Sequence, residues 1–241
     1  MSRTIKPTQH LLRVYELLVR TYGEPKNSPD FDPLGGLVGT ILSQHTSDIN
    51  SDRAYKQLVT TFPTWEDVRD APTGKIVEAI KCGGLANIKS IRIQDVLYTL
   101  TERQQEQGET NTLAEFLYDE LARRTTEEAW RYLRELPGVG PKTAACVLMF
   151  NLDRPAFPID THVHRVAKRL GLIGSRVSAD QAHNIFDEIV PPEWVYPLHV
   201  NLIRHGRQIC HAQRPECNAC QLFSECAYVG SVISQESAVT G

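Results

Sequence analysis

The chain has 241 residues, 41% hydrophobic and 23% charged, and 26 Lys and Arg against 29 Asp and Glu leave a formal net charge of –3. That composition suits a folded globular protein and excludes collagen-like, low-complexity and membrane-spanning chains, since no run approaches the roughly eighteen apolar residues of a span. Any nucleic-acid contact must therefore come from local basic clusters, not from a global field.

The N-terminal stretch MSRTIKPTQHLLRVYELLVRTYG has no acid before Glu16, as an organelle-targeting peptide would, but it lacks a cleavage pattern and its Leu/Val spacing suits a packed helix. Helix signals dominate from there on. Capping-box patterns pair Thr112 with Glu115, Thr125 with Glu128 and Ser178 with Gln181, each ahead of apolar residues at helical spacing. Breakers at Gly23, Asp32-Pro33, Pro72-Thr73-Gly74, Gly83-Gly84, Gly108, Pro137-Gly138, Gly171 and Pro191-Pro192 cut the chain into pieces of helix length. The predicted class is all-α. Helices from about Leu34 to Phe150 form one block, NLDRPAFP (151–158) reads as a linker, and the tail SVISQESAVTG (231–241) carries no core pattern and is predicted to be disordered.

Within the block, EEAWRYLRELPGVGPKTAACVLMF reads as a helix, a tight turn with Gly138 and Gly140, and a second helix with Pro141 at its first position. This is a helix-hairpin-helix pattern, whose glycines let backbone approach a DNA phosphate. Lys142 opens the second helix, where the dipole and unpaired N–H groups favour an anion and work against a cation. An amine held there is either a surface accident or a nucleophile in preparation.

Asp160 follows eighteen residues later in PAFPIDTHVHRVAKRLGL, ahead of a helix with Val163, Val166, Ala167 and Leu170 on one face. It reads equally as an N-cap and as a carboxylate able to support a cationic transition state. Further on, Cys210, Cys217, Cys220 and Cys226 are spaced C-x6-C-x2-C-x5-C in a hydrophilic run. Four thiolates so placed can hold a [4Fe–4S] cluster; zinc is the competitor, but its four-thiolate sites more usually show two C-x2-4-C pairs, and only Cys217 and Cys220 form one here. Cys82 and Cys146 sit among apolar residues and read as core thiols. Lys142, Arg154, Arg165, Lys168 and Arg169, with Arg204, Arg207 and Arg214, supply local positive charge for phosphates, although a solvated helix face explains any single one.

Together LPGVGPKTAA, PIDTHVHRV and the cysteine spacing resemble the endonuclease III family of DNA base-excision glycosylases, over about Asp32 to Cys226. The resemblance implies two helical domains: a six-helix barrel with the hairpin, 32–154, and a discontinuous domain of 1–31 and 155–241 with the cluster loop, the active site lying in the cleft between them. It implies a bifunctional enzyme on damaged double-stranded DNA, releasing oxidised or ring-saturated pyrimidines and cutting the abasic strand by β-elimination, with Lys142 as nucleophile, Asp160 as its acidic partner and the four cysteines holding a [4Fe–4S] cluster. It further implies a monomer, cytoplasmic and nucleoid-associated if the source is bacterial, with DNA contacts at Gln44, His45, Leu85, Gly138, Val139, Gly140, Thr143, His162 and Arg165. One departure stands out: in ILSQHTSD, His45 falls where the family places a glutamine that fills the space left by the flipped base, with Gln44 one residue earlier. The second filler, a leucine in a glycine-containing loop, is matched by Leu85. If His45 enters the duplex, its strength as a donor to the orphaned base depends on its protonation; otherwise it is an exposed loop residue. An adenine-removing mismatch glycosylase of the same superfamily fits less well, because Gly39 stands where its catalytic glutamate would be. A non-catalytic DNA-binding module leaves the Lys142/Asp160 pair unexplained, and a zinc-stabilised adaptor would be colourless.

Overall fold

The computed structural model describes residues 7–229, so the readings of the first six residues and of the 231–241 tail lie outside the described residues. Every regular element among them is helical. The described residues divide into two compact units, Ser28–Arg154 and the segments 7–27 and 155–229 on either side of it.

Ser28–Arg154 is built around α2 (Pro33–Ser43), in which Leu34, Leu37, Val38, Ile41 and Leu42 are all fully buried. A helix apolar around most of its circumference has to be enclosed. It is: α3 (Asp48–Thr61), α6 (Ala86–Glu106), α7 (Leu113–Ala122), α9 (Pro141–Cys146) and a π-helical turn at Val147–Asn151 pack against it. The short helices α4 (Trp65–Asp70) and α5 (Thr73–Ile80) lean on α6, and α8 (Thr126–Arg134) packs on α7 and α9. Asp32 caps α2 by accepting the Gly35 N–H at 2.9 Å. The N-terminal join falls at 27/28 and not at 31/32, for a local reason: the Phe31 N–H donates to the Asn151 carbonyl at 3.1 Å and Asn151 Nδ2 donates to Asp30 at 2.9 Å, tying 28–31 to this unit.

The other unit comprises α1 (Gln9–Tyr22), α10 (Thr161–Leu170), α11 (Ala179–Ile189) and α12 (Val195–Gln208), with α1 and α10 packed on α12. The Tyr15 and Trp194 rings stack at 4.1 Å between centroids. The second half of the expected linker is core here: Ala156, Phe157 and Ile159 are buried, and the Phe157 ring lies 4.6 Å from Phe186. Two prolines and the absence of periodicity hid a buried extended segment, whose side chains need no helical spacing.

All three expected capping boxes form. A fourth pairs Thr64 with Asp67, an acid one methylene shorter than the pattern specifies.

Candidate active site and cysteine loop

In the hairpin the turn is fixed by Gly138, whose φ of +70° is a left-handed value that disfavours a side chain. Trp130 Nε1 donates to the Pro141 carbonyl at 3.2 Å and the Arg134 guanidinium lies 4.4 Å over the Trp130 ring, bracing the second helix against the first. Gly140 is the N-cap of α9, no side chain caps it, and Ala144 donates the first intrahelical bond back to the Gly140 carbonyl. The Lys142 and Thr143 amides thus have no intrahelical acceptor, the arrangement that holds an anion. Lys142 is half-buried, and among the described residues its Nζ has no hydrogen-bond or ion-pair partner. Val139 and Thr143, both expected at DNA, bury their side chains. The Val139 amide is also spent on the Leu136 carbonyl, so Val139 offers the phosphate neither donor nor side chain, and Thr143 offers its backbone amide alone.

Asp160 is the N-cap of α10, Oδ1 accepting the Val163 N–H at 2.7 Å. No bond to its Oδ2 is found among the described residues, so the carboxylate caps a helix with one oxygen and keeps the other.

The loops expected to enter the duplex show why each is shaped as it is. His45 (φ +54°) and Leu85 (φ +51°) are both in the left-handed region and both exposed. Non-glycine residues persist there when the surroundings over-determine them. Here the surroundings include Lys89, 2% exposed, whose Nζ donates to Leu42 O at 2.7 Å and Gly83 O at 2.9 Å. One buried ammonium therefore ties the end of α2, just before His45, to the turn before Leu85. Burial pushes its pKa down. Sequence reasoning passed over Lys89, because a lone lysine on an amphipathic helix reads as a solvated charge.

Arg165, expected at DNA, is engaged within the fold. Its Nε donates to Cys210 O at 3.0 Å and its Nη2 to Gly206 O at 2.8 Å, with His162 Nδ1 at 3.1 Å from Nη2. It braces α12 and the cysteine loop, and it engages His162 in the same work. Arg169 is turned inward too: Nη1 reaches His211 O at 2.6 Å and Cys210 Sγ at 3.2 Å, and Nη2 reaches Ala212 O at 3.0 Å. Arg154 bonds the Arg124 and Ala122 carbonyls at the end of α7. Three of the residues counted as phosphate ligands spend their donors on backbone carbonyls.

Cys210, Cys217, Cys220 and Cys226 all line one cavity, walled by Val166, Leu170, Ile209, Pro215 and Val229. Burial raises the Cys217 and Cys220 thiols, and the neighbouring cysteines add to the rise in both. His205, kept neutral because burial lowers it to about 4, places Nε2 at 3.5 Å from Cys220 Sγ and Nδ1 at 3.1 Å from the Tyr22 hydroxyl. The four cysteines, on one apolar-walled cavity with a guanidinium at one sulfur, are the ligand type and nearby donor that an iron–sulfur cluster takes, but they are not drawn together to the spacing a metal requires. No group of three or more His, Cys, Asp or Glu among the described residues is arranged to hold a metal ion. Cys146 is buried as expected, whereas Cys82 is half-exposed and donates to Gln57 Oε1 at 3.1 Å.

Residues 38–192 match the model of the HhH-GPD superfamily of base excision DNA repair proteins. The endonuclease III of Thermotoga maritima is 31% identical over 204 residues, 85% of this chain and 87% of that protein. This chain belongs to the endonuclease III family. Within the family's wider reach, an Arabidopsis thaliana protein that carries a DNA glycosylase name, At3g47830, is 40% identical over 177 residues, and the alignment takes in 73% of this chain and only 57% of that longer protein. Among solved structures, an endonuclease III trapped as a covalent intermediate with DNA superposes with a TM-score of 0.73 at 27% identity, covering 95% of this chain and 100% of that one. As an endonuclease III family member the protein is a DNA glycosylase/lyase, and DNA is its partner.

Proposed function

We propose that the protein acts as a monomer on oxidised or ring-saturated pyrimidines in duplex DNA, with Lys142 as nucleophile and Asp160 as the acidic group. The observation that carries this reading is Lys142 itself: an amine with no partner among the described residues, on the first turn of a helix whose leading amides are unpaired, in a chain of this family. A phosphate bound by those amides brings the adjoining sugar to the lysine, and phosphate contacts of this kind fix register without reading sequence. The damaged nucleotide must leave the stack to be reached.

The lone pair of Lys142 Nζ attacks C1′, and the base departs with the electron pair of the glycosidic bond and takes up a proton. The amine loses its proton as the sugar ring opens, leaving an imine between Nζ and C1′. Removal of a 2′ proton then expels the 3′ phosphate, and water hydrolyses the imine to free the lysine. Asp160 supports the positive charge that develops on the sugar and relays protons through the oxygen its cap does not use. A [4Fe–4S] cluster held by Cys210, Cys217, Cys220 and Cys226 would supply a cross-link ordering the C-terminal loop, a structural task that Arg165 and Arg169 share through the carbonyls they bind.

The test is borohydride capture. Wild-type protein incubated with a duplex carrying thymine glycol or an abasic site should form a covalent protein–DNA adduct on reduction. Lys142→Ala should form none while still binding the duplex. Undiminished capture by Lys142→Ala ends the assignment.

A further inference from the structure

One turn beyond Lys89 on α6, Arg92 joins two parts of the unit that are far apart in sequence. Its Nη1 donates to Gln44 Oε1 at 2.6 Å, across 48 residues. Its stem runs directly beneath the hairpin: a Cβ on Gly138 would lie 2.5 Å from Arg92 Nε, 2.6 Å from Cδ and 2.9 Å from Cγ. The turn that introduces Lys142 therefore rests on the side chain that holds Gln44. Gly138 is required twice over, by its φ of +70° and by this contact. Among the described residues Arg92 pairs with no carboxylate, and Gln44 is its hydrogen-bond acceptor.

Chemistry settles which way the Gln44 amide is turned. Arginine has only donors, so the atom facing Nη1 must be the carbonyl oxygen, and the amide NH2 is left as the free end. A glutamine that rotates freely turns either a donor or an acceptor outward; one held by Arg92 has one carbonyl lone pair occupied and turns its NH2 outward. We propose that Arg92 is a positioning residue for opposite-base recognition, locking Gln44 as a hydrogen-bond donor toward the base across from the lesion and coupling that choice to the seating of the catalytic hairpin. This rests on the reading of the hairpin as the DNA-holding, lysine-bearing element. The base opposite the lesion is then favoured where its Watson–Crick edge presents an acceptor at the centre of the site.

The experiment measures single-turnover base release from thymine glycol placed opposite A, C, G and T, using wild type, Gln44→Leu, Arg92→Met, Arg92→Lys and the Arg92→Met/Gln44→Leu double variant. Methionine keeps an apolar stem beneath Gly138 and removes the donor; lysine keeps a donor on a similar stem. Arg92→Met should change the ratio of best to worst opposite base by about 5- to 10-fold, the scale of one ordinary net hydrogen bond, since the guanidinium acts on the base only through the Gln44 amide. Gln44→Leu should change the same ratio in the same sense, the double variant should add no further change, and Arg92→Lys should restore part of the wild-type ratio. A purely structural role for Arg92 predicts an equal fall in rate opposite all four bases, with the ratio intact, and that result overturns the proposal. So does a double variant whose ratio is the product of the two single effects. Borohydride capture by wild type on the same duplexes is the control: its absence would remove the catalytic reading itself, whereas capture with an unaltered Arg92→Met ratio removes only the role of Arg92.

Discussion

Replacing Lys89 by methionine tests whether the loops that carry His45 and Leu85 are held by one buried cation. The side chain is 2% exposed and its ammonium makes two carbonyl bonds, at 2.7 and 2.9 Å. Methionine fills similar volume, so little cavity term arises; the loss is two charge-assisted bonds and the stranding of two carbonyls. Each bond is worth roughly 1.5–3 kcal/mol, and each stranded group costs about as much again at the low end, while relief of the ammonium's desolvation returns several kcal/mol. The net expectation is a destabilisation of about 2–4 kcal/mol, a large share of the ~5–15 kcal/mol typical of a domain. The pH dependence has a definite sign. Burial lowers the native pKa of Lys89 below its ordinary value of 10.5, so between the two values the unfolded chain binds more protons than the native one. Stability contributed by this group is therefore present above the unfolded value and is lost as pH falls through the native one. Urea unfolding at several pH values between 7 and 10.5, with the slope held constant, reads both quantities. Wild type should gain stability as pH rises toward 10.5, and Lys89→Met should lower the midpoint at pH 7.5 and remove that rise. A variant within about 0.5 kcal/mol of wild type, with an unchanged pH profile, refutes the clamp, because surface-like substitutions fall in that range.

Asp160→Asn should slow base release by at least about 10²-fold, the usual scale for a lost acid/base or electrostatic group, with a smaller effect on cleavage at a pre-formed abasic site. Quenched single-turnover assays on the two substrates separate these, and wild-type base release would leave Asp160 as a helix cap only. Purified protein should be yellow-brown with about four irons, and Cys220→Ser should lose both colour and the protease resistance of the C-terminal loop. Stoichiometric zinc without iron in anaerobically prepared protein would overturn the cluster assignment.

The parts of this molecule that were legible in its sequence rest on local signals. A capping box spans four residues, a hairpin turn needs its glycine within a few positions, and four cysteines in seventeen residues stand out in a hydrophilic run. Arg92, Lys89 and Arg165 were opaque because their partners are carbonyls and amides distant in the chain: Gln44 lies 48 residues from Arg92, Leu42 lies 47 from Lys89 and Cys210 lies 45 from Arg165. Charge on a helix gives no hint of whether it faces water or a backbone. The π-helical turn at Val147–Asn151 was equally hidden, since it continues the apolar run of α9. There Asn151 takes up the space beside Gly36 that a larger residue on α2 would need.

Asp160 shows why its two sequence readings are not rivals. An N-cap needs one oxygen facing the amide two or three residues on, and Oδ1 serves Val163 in that way. An electrostatic partner for a cationic sugar needs negative charge and a free oxygen, and Oδ2 remains. The cap also fixes the carboxylate, since a side chain anchored through one oxygen loses little further freedom when the other acts. Asparagine keeps the anchor and removes the charge, being as good an N-cap as aspartate; alanine removes both, at a typical cost of about 1 kcal/mol in helix stability. Comparing the two variants therefore divides the residue's contribution to the fold from its contribution to chemistry: equal catalytic loss in Asp160→Asn and Asp160→Ala, with a lower melting temperature only in the alanine variant, is the outcome this geometry requires.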